Sequence, residues 1–180
     1  MKNGLTRRQS QRPWLSRSVL RAARLAPATV VAHLERWAKI SPMKNKSEIV
    51  RQFIERVLSG GDIDATSEYF CPDMVEEMPF PGQGPGVGGL KDVVRGMRES
   101  FPDMNWLVEE QIESGDKVVS RFTWRGTHRA PFLGVPATGR SVTVWGIVID
   151  QFEGQKIKST RIIMDALGLM AQLGVFPPAK

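Results

Sequence analysis

The amino-acid sequence predicts an α+β fold in which helices pack on one face of a curved antiparallel sheet. Apolar residues recur at helical spacing between residues 47 and 101, and the period then switches to two between residues 105 and 164. Short turns join the segments of period two, as they do in antiparallel sheets. Helices that come first, followed by a run of strands, are the pattern of this fold class.

Three helices are predicted before the sheet. The first covers residues 47–58, and a Ser-Gly-Gly run ends it. A short second helix begins near Asp64 and stops before Pro72, because proline ends a helix. A glycine-rich loop at 79–89 leads to the third helix, 90–101. The residues of the two apolar stripes are Ile49, Val50, Phe53, Ile54 and Val57 in the first helix and Leu90, Val93, Val94, Met97 and Phe101 in the third.

Four strands and a short terminal helix follow. The strand-like segments cover residues 105–114, 117–128, 141–152 and 156–164, and the helix covers 166–174. The 138 residues after position 42 are long enough to bury a sizeable core and to enclose a cavity between sheet and helices.

Composition excludes several classes of protein. The chain has 180 residues, of which 41% are hydrophobic and 24% charged, as in soluble globular proteins. No apolar run approaches the roughly 18 residues that a membrane span needs. A single cysteine, Cys71, excludes an internal disulfide framework, and two histidines add too few ligands for a zinc site built from His and Cys. We therefore expect that any catalysis by this protein uses no metal.

The first 42 residues differ from the rest. They contain nine Lys or Arg residues and one acid, whereas the remaining chain has a small net negative charge. The basic charge thus belongs to a tail and not to the domain, which argues against a nucleic-acid partner. The tail has the composition of an organellar transit peptide; alternatively, Met43 is the true start and the tail is an extended reading frame. We expect a poorly packed extension at 1–42, a domain at 43–180, and a cytoplasmic location unless the tail directs the protein to an organelle.

Asp165 is the first candidate site residue, because it interrupts the apolar run of residues 161–174. A buried, ionised aspartate is costly unless it is compensated. Asp165 follows the last predicted strand and precedes the last helix, where its oxygens could accept backbone N–H groups as an N-cap. The alternatives are that it is simply exposed or that it performs chemistry in a pocket.

Other candidates carry weaker signals. His128 ends a predicted strand and is the domain's only histidine. Arg161 shares a strand face with Ile163, so it would bind an oxyanion if that face is concave and would be solvated if it is convex. Trp124 and Trp145 are core residues or substrate contacts. Residues 82–89 lack the pattern of a phosphate-binding loop and are interpreted as a lid or a plain turn.

Four segments together resemble the SnoaL-like polyketide cyclases, or ester cyclases, of the nuclear-transport-factor-2-like superfamily. They are "GLKDVVRGMRESFPD", "GTHRAPFLGVPATGR", "VTVWGIVIDQFEGQKI" and "RIIMDALGLMAQLG". The resemblance covers about residues 46–176 and implies a cone-shaped α+β barrel, a strongly bent sheet around a deep apolar pocket that helices close. It also implies intramolecular aldol-type ring closure of a hydrophobic carbonyl or ester substrate without a cofactor.

The resemblance also assigns roles. The family's catalytic carboxylate falls on Asp165, which would act as general acid/base, with His128 or Arg161 as donors to the enolate oxygen. Arg161, Trp124 and Trp145 are then the candidate substrate contacts. The alternatives are an isomerase like ketosteroid isomerase, a hydrolase on the same fold, or a protein that only binds a small molecule. Cone folds of this kind usually pair through their sheets, so we expect a homodimer or a higher homo-oligomer.

Overall fold

The computed structural model describes residues 45–176. The predicted extension at 1–42 and the domain boundary at residue 43 lie outside this range. Within it, helices precede a sheet as the sequence predicts, and the α+β class is confirmed. No helix of residues 45–176 is long and apolar enough to cross a lipid bilayer.

The first helix begins at a side-chain cap. In α1 (Lys46–Phe53) the Asn45 side chain accepts the Ser47 N–H at 2.9 Å. The chain continues as a π-helical turn (Ile54–Ser59). The predicted stripe is confirmed, since all five of its residues are buried. Burial of such a stripe stabilises the helix more than the intrinsic propensity of its residues does.

The segment predicted as a second helix contains a strand that the sequence did not indicate. A 3₁₀ turn (Ile63–Ala65) and the one-turn helix α2 (Thr66–Tyr69) are followed by β1 (Phe70–Glu76). Pro72 lies within this strand. A proline is tolerated there because β1 is an edge strand.

The remaining elements are close to the prediction. They are α3 (Gly86–Ser100), β2 (Asn105–Ser114), β3 (Lys117–Thr127), β4 (Ser141–Glu153), β5 (Lys156–Met164) and α4 (Ala166–Leu173). Helix α3 begins four residues earlier than predicted. The C-cap of α4 is Gly174, which has the left-handed conformation with a φ of 86°.

The sheet has five strands in the order β1-β5-β4-β3-β2. The four predicted strands are antiparallel, but β1 pairs in parallel with β5, so the sheet is mixed. It is open rather than closed into a barrel, because β1 and β2 both remain edges. Since β1 is reached from the helices before it, it can add to the sheet in either direction without a tight turn.

Alternation along the strands gives the sheet two different faces. The inner face of β3 and β4 carries buried residues such as Phe122, Trp124 and Val144. The outer face carries exposed apolar residues, with Trp145 at 53% and Ile163 at 59% exposure. Helices α1 and α3 contribute their apolar stripes to the same buried core as the inner face.

Candidate active site

A cavity of about 90 Å³ lies between the inner face of the sheet and the helices. Phe53 of α1 and Met97 of α3 line it from the helical side, and Trp106 and Phe122 line it from the sheet. The lining is almost wholly apolar because each of these elements turns its apolar stripe or inner row toward the others. Polar groups in such a place need an explanation.

Three polar residues form one row across the sheet at this cavity. Asp150 of β4 is directly opposite Thr160 of β5, and Thr160 is in turn paired with Glu76 of β1. All three line the cavity. Of the described residues that line it, Asp150 and Glu76 are the two with ionisable side chains.

Asp150 is buried without a partner. The residue is 4% exposed. Its carboxyl makes no hydrogen bond or ion pair with any of residues 45–176. Burial, and then the charge of Glu76, raise the pKa of Asp150 to about 8. The carboxyl is therefore mostly protonated at neutral pH, and a group whose pKa lies near the operating pH is suited to proton transfer.

Glu76 has the opposite surroundings. Its Oε2 accepts the Thr160 hydroxyl at 2.5 Å, and its Oε1 accepts the Met78 N–H at 3.3 Å. Burial raises the pKa of Glu76, but these two donors oppose the shift by stabilising the ionised form. Glu76 thus accepts hydrogen bonds from two donors, whereas Asp150 accepts none from residues 45–176. The sequence alone does not reveal this difference.

A glycine-rich turn forms one wall of the cavity. Phe80 and Gln83 line it, and the Gln83 Oε1 accepts the Phe80 N–H at 3.0 Å. The Gln83 amide nitrogen has no hydrogen-bond partner among residues 45–176. Two clefts of about 320 Å³ each border the same turn. The turn therefore lies between the cavity and these two clefts.

Asp165 is the N-cap of α4. Its Oδ1 accepts the Gly168 N–H at 2.8 Å, and its own N–H is donated to the Trp145 carbonyl. The residue is half-buried and is not among those that line the cavity. The geometry therefore supports the cap that the sequence suggested, and the acid/base role implied by the resemblance stays a prediction.

His128 is fully buried, away from the cavity lining. Its ring stacks on Phe101 with centroids 5.2 Å apart, and its Nδ1 accepts the Thr138 N–H at 3.3 Å. These contacts hold the 128–140 loop against the core. Its Nε2 is buried without a hydrogen-bond partner among the described residues.

The three predicted substrate contacts are not brought together. Arg161 lies on the outer side of β5 and pairs with Glu77 through its Nε at 2.8 Å. Trp124 is fully buried and packs on Trp106, with ring centroids 6.0 Å apart, so it supports a lining residue from behind. Trp145 lies on the exposed outer face. Their roles in substrate binding stay predictions.

Asp150 was present in the sequence as a detectable signal. Alternation along β4 puts Val142, Val144, Gly146 and Val148 on the same face as Asp150. A carboxylate in an otherwise apolar inner row is the pattern of a buried acid. Asp165 gave the more conspicuous signal, because it interrupts the apolar run of residues 161–174 and matches the family's catalytic position. Nothing in the sequence indicated that Glu76 would join the same row, because β1 was not predicted.

Comparisons with known proteins agree with this fold. A family model of SnoaL-like polyketide cyclases matches residues 48–173. Aklanonic acid methyl ester cyclase DnrD of Streptomyces peucetius is 28% identical over 137 residues, 73% of this chain and 92% of the relative.

Solved structures are similar as well. TsrD of Streptomyces laurentii is 28% identical with a TM-score of 0.67, over 72% of this chain and 95% of TsrD. IdmH of Streptomyces antibioticus is 28% identical with a TM-score of 0.64, over 72% of this chain and 99% of IdmH. The match of the family model to more than half of the chain shows that this chain belongs to the SnoaL-like polyketide cyclase family.

Proposed function

We propose that this protein is an ester cyclase that uses no cofactor and closes a ring in a hydrophobic carbonyl or ester substrate. The supporting observation is the Asp150 carboxyl, which lies without a protein partner in an apolar cavity. The relative DnrD acts, by its name, on a methyl ester of aklanonic acid. An ester with a second carbonyl in the same molecule is therefore the substrate class to test first.

The proposed reaction is an intramolecular aldol addition in which Asp150 moves one proton. Ionised Asp150 removes a proton from the carbon next to the ester carbonyl, which leaves an enolate. The enolate carbon forms a bond with the carbon of an aldehyde or ketone in the same molecule, and the carbonyl π bond of that group becomes an alkoxide. Protonated Asp150 then donates its proton to the alkoxide, so the enzyme returns to its starting state. Confinement of both ends of the substrate lowers the entropic barrier.

The pKa of Asp150 determines how the rate depends on pH. At pH 7 about a tenth of the Asp150 carboxyls are ionised if the pKa is about 8. The base form increases about tenfold per pH unit below that value, so kcat/KM rises with pH and levels off near pH 8.

Gln83 is the proposed donor to the enolate oxygen. Because its Oε1 is held by the Phe80 N–H, its amide nitrogen remains available at the cavity wall. A neutral N–H donor stabilises developing negative charge on oxygen without neutralising the nearby carboxylate base. In this proposal Gln83 takes the role of donor to the enolate oxygen from Arg161 and His128, because neither of them lines the cavity.

The size of the cavity implies movement of the Phe80–Gln83 turn. About 90 Å³ is less than the roughly 150 Å³ of a cavity that holds benzene. A substrate with several rings therefore needs the turn to move outward, which would join the cavity to the two larger clefts that border it. Of the two interpretations of residues 82–89 from the sequence, a lid and a plain turn, this proposal takes the lid.

A homodimer is also proposed. On the outer face of the sheet, Leu107, Trp145 and Ile163 are each more than half exposed. Apolar residues grouped on one sheet face are typical of a protein interface. A second copy of this chain is the proposed occupant.

Turnover of aklanonic acid methyl ester, and of simpler esters that carry a ketone, tests the function. Ring closure is followed by chromatography because an aldol addition leaves the mass unchanged. We expect turnover by the unaltered protein, a loss of about 100-fold or more in Asp150→Asn, and near-normal turnover in Asp165→Asn. The reverse order for the two variants would assign the acid/base role to Asp165. Saturable binding without turnover would support a binding protein, and turnover of a steroid enone would support an isomerase.

A further inference from the structure

Glu76 is the second acid of the cavity, and the proposed reaction gives it no task. It lies two strands away from Asp150, with Thr160 between them in the same row. Neighbouring strands are about 4.8 Å apart, so the two carboxyls are close enough for their charges to interact in an apolar setting. Two carboxyls that interact in this way titrate as a pair.

The hydrogen bonds decide which member of the pair is ionised. Glu76 accepts two hydrogen bonds, from the Thr160 hydroxyl and the Met78 N–H, and both favour a carboxylate. Asp150 accepts none from residues 45–176. A single negative charge shared by the pair therefore rests on Glu76, and the proton rests on Asp150.

One other charged group acts on the pair, and it lies outside the cavity. The helices α1 and α3, the strands β2 and β3, and the Phe80–Gln83 turn contribute no ionisable side chain to the described cavity lining. The group outside the cavity is Glu77, which is paired with Arg161. After burial, its charge also raises the pKa of Glu76, and the hydrogen bonds from Thr160 and Met78 oppose that shift. Glu76 is thus the charged group that acts on Asp150.

We infer that Glu76, held by Thr160, is a positioning residue: it carries the negative charge of the pair and so keeps the pair's single proton on Asp150. This inference rests on the proposed role of Asp150. Glu76 repels a second negative charge in the cavity, so it makes ionised Asp150 a stronger base than a lone buried aspartate would be. It also confines the mobile proton to the carboxyl that has no hydrogen bond to break.

Carbon-13 NMR of the Asp and Glu side-chain carboxyls tests the inference over a pH titration. We expect Asp150 to titrate near pH 8 and Glu76 at lower pH. Glu76→Gln, whose amide oxygen can still accept the Thr160 hydroxyl, is expected to lower the Asp150 midpoint by about one unit or more. The matched control is Glu77→Gln, which removes the adjacent carboxylate outside the cavity and is expected to leave the midpoint in place.

The outcomes separate the inference from the proposed function. An Asp150 midpoint near 8 that Glu76→Gln does not move would overturn the coupling alone, as would a Glu76 midpoint above that of Asp150 in the unaltered protein. An Asp150 midpoint in the ordinary carboxyl range would overturn the proposed acid/base as well. Once a substrate is found, the pH limb of kcat/KM should move down with the NMR midpoint in Glu76→Gln, which a loss of folding alone would not cause.

Discussion

Replacement of Asp150 by asparagine should stabilise the protein at neutral pH while it removes activity. Asparagine keeps the size and polarity of the protonated carboxyl but cannot ionise. In the unaltered protein, the folded state keeps a proton on Asp150, whereas the unfolded state releases this proton above pH 4. Its free energy of unfolding is therefore not reduced by Asp150 below the ordinary pKa of 3.8. It falls as the pH rises from there toward the folded-state pKa of about 8.

The size of this effect follows from the difference between the two pKa values. Each unit corresponds to about 1.4 kcal/mol, so the cost of keeping Asp150 in the cavity grows to about 4 kcal/mol at pH 7. Burial is the larger cause of this cost, and the charge of Glu76 is the second. The variant should match the unaltered protein near pH 4 and exceed its free energy of unfolding by about 1.4 kcal/mol for each further pH unit.

Urea unfolding measured at several pH values between 4 and 8, with tryptophan fluorescence as the signal, checks this expectation. The slope m should be the same for both proteins, so that a shift in the midpoint reports stability. Asp165→Asn is the matched control, because asparagine also serves as an N-cap and its curve should run parallel to that of the unaltered protein. A constant difference between Asp150→Asn and the unaltered protein across this pH range would refute the reasoning.

Three further predictions concern other parts of the chain. Asp165→Ala should lower the free energy of unfolding by about 1 kcal/mol because the Gly168 N–H loses its acceptor, as thermal or urea unfolding would reveal; equal stability of the alanine and asparagine variants would contradict the cap. Trp145→Glu should convert the proposed homodimer to monomer in sedimentation velocity, and an unchanged sedimentation coefficient would contradict that interface. Gly89→Ala should displace the Phe80–Gln83 turn, because a Cβ at Gly89 would lie 1.8 Å from the Gly84 carbonyl oxygen. A displaced turn should be cleaved faster by a protease at residues 79–85. An unchanged cleavage pattern would contradict the close packing of Gly89 against Gly84.

Local patterns account for the parts of the fold that the sequence predicted. The stripe of α1 and the alternation of β3 and β4 are properties of contiguous residues, and burial followed them closely. Strand β1 was missed because Pro72 interrupts it and because its pairing with β5 joins residues more than 80 positions apart. No local pattern encodes such a pairing.

The site was harder to predict for the same reason. Asp165 was placed at a strand–helix junction by its neighbours in the chain, and the cap is confirmed. The row of Asp150, Thr160 and Glu76 exists only because β4, β5 and β1 are adjacent in the sheet. The pKa of Asp150 depends in turn on burial by α1 and α3, which approach from another part of the chain.

The central claim is that Asp150 moves a proton to and from carbon in an apolar cavity. Deuterium exchange tests it most directly, with a hydrophobic ester that has acidic hydrogens next to its carbonyl but no second carbonyl to attack. Exchange at that carbon in D₂O is measured by proton NMR. The unaltered protein and Asp165→Asn should both accelerate it, and Asp150→Asn should not. Equal exchange with the unaltered protein and Asp150→Asn would contradict the account.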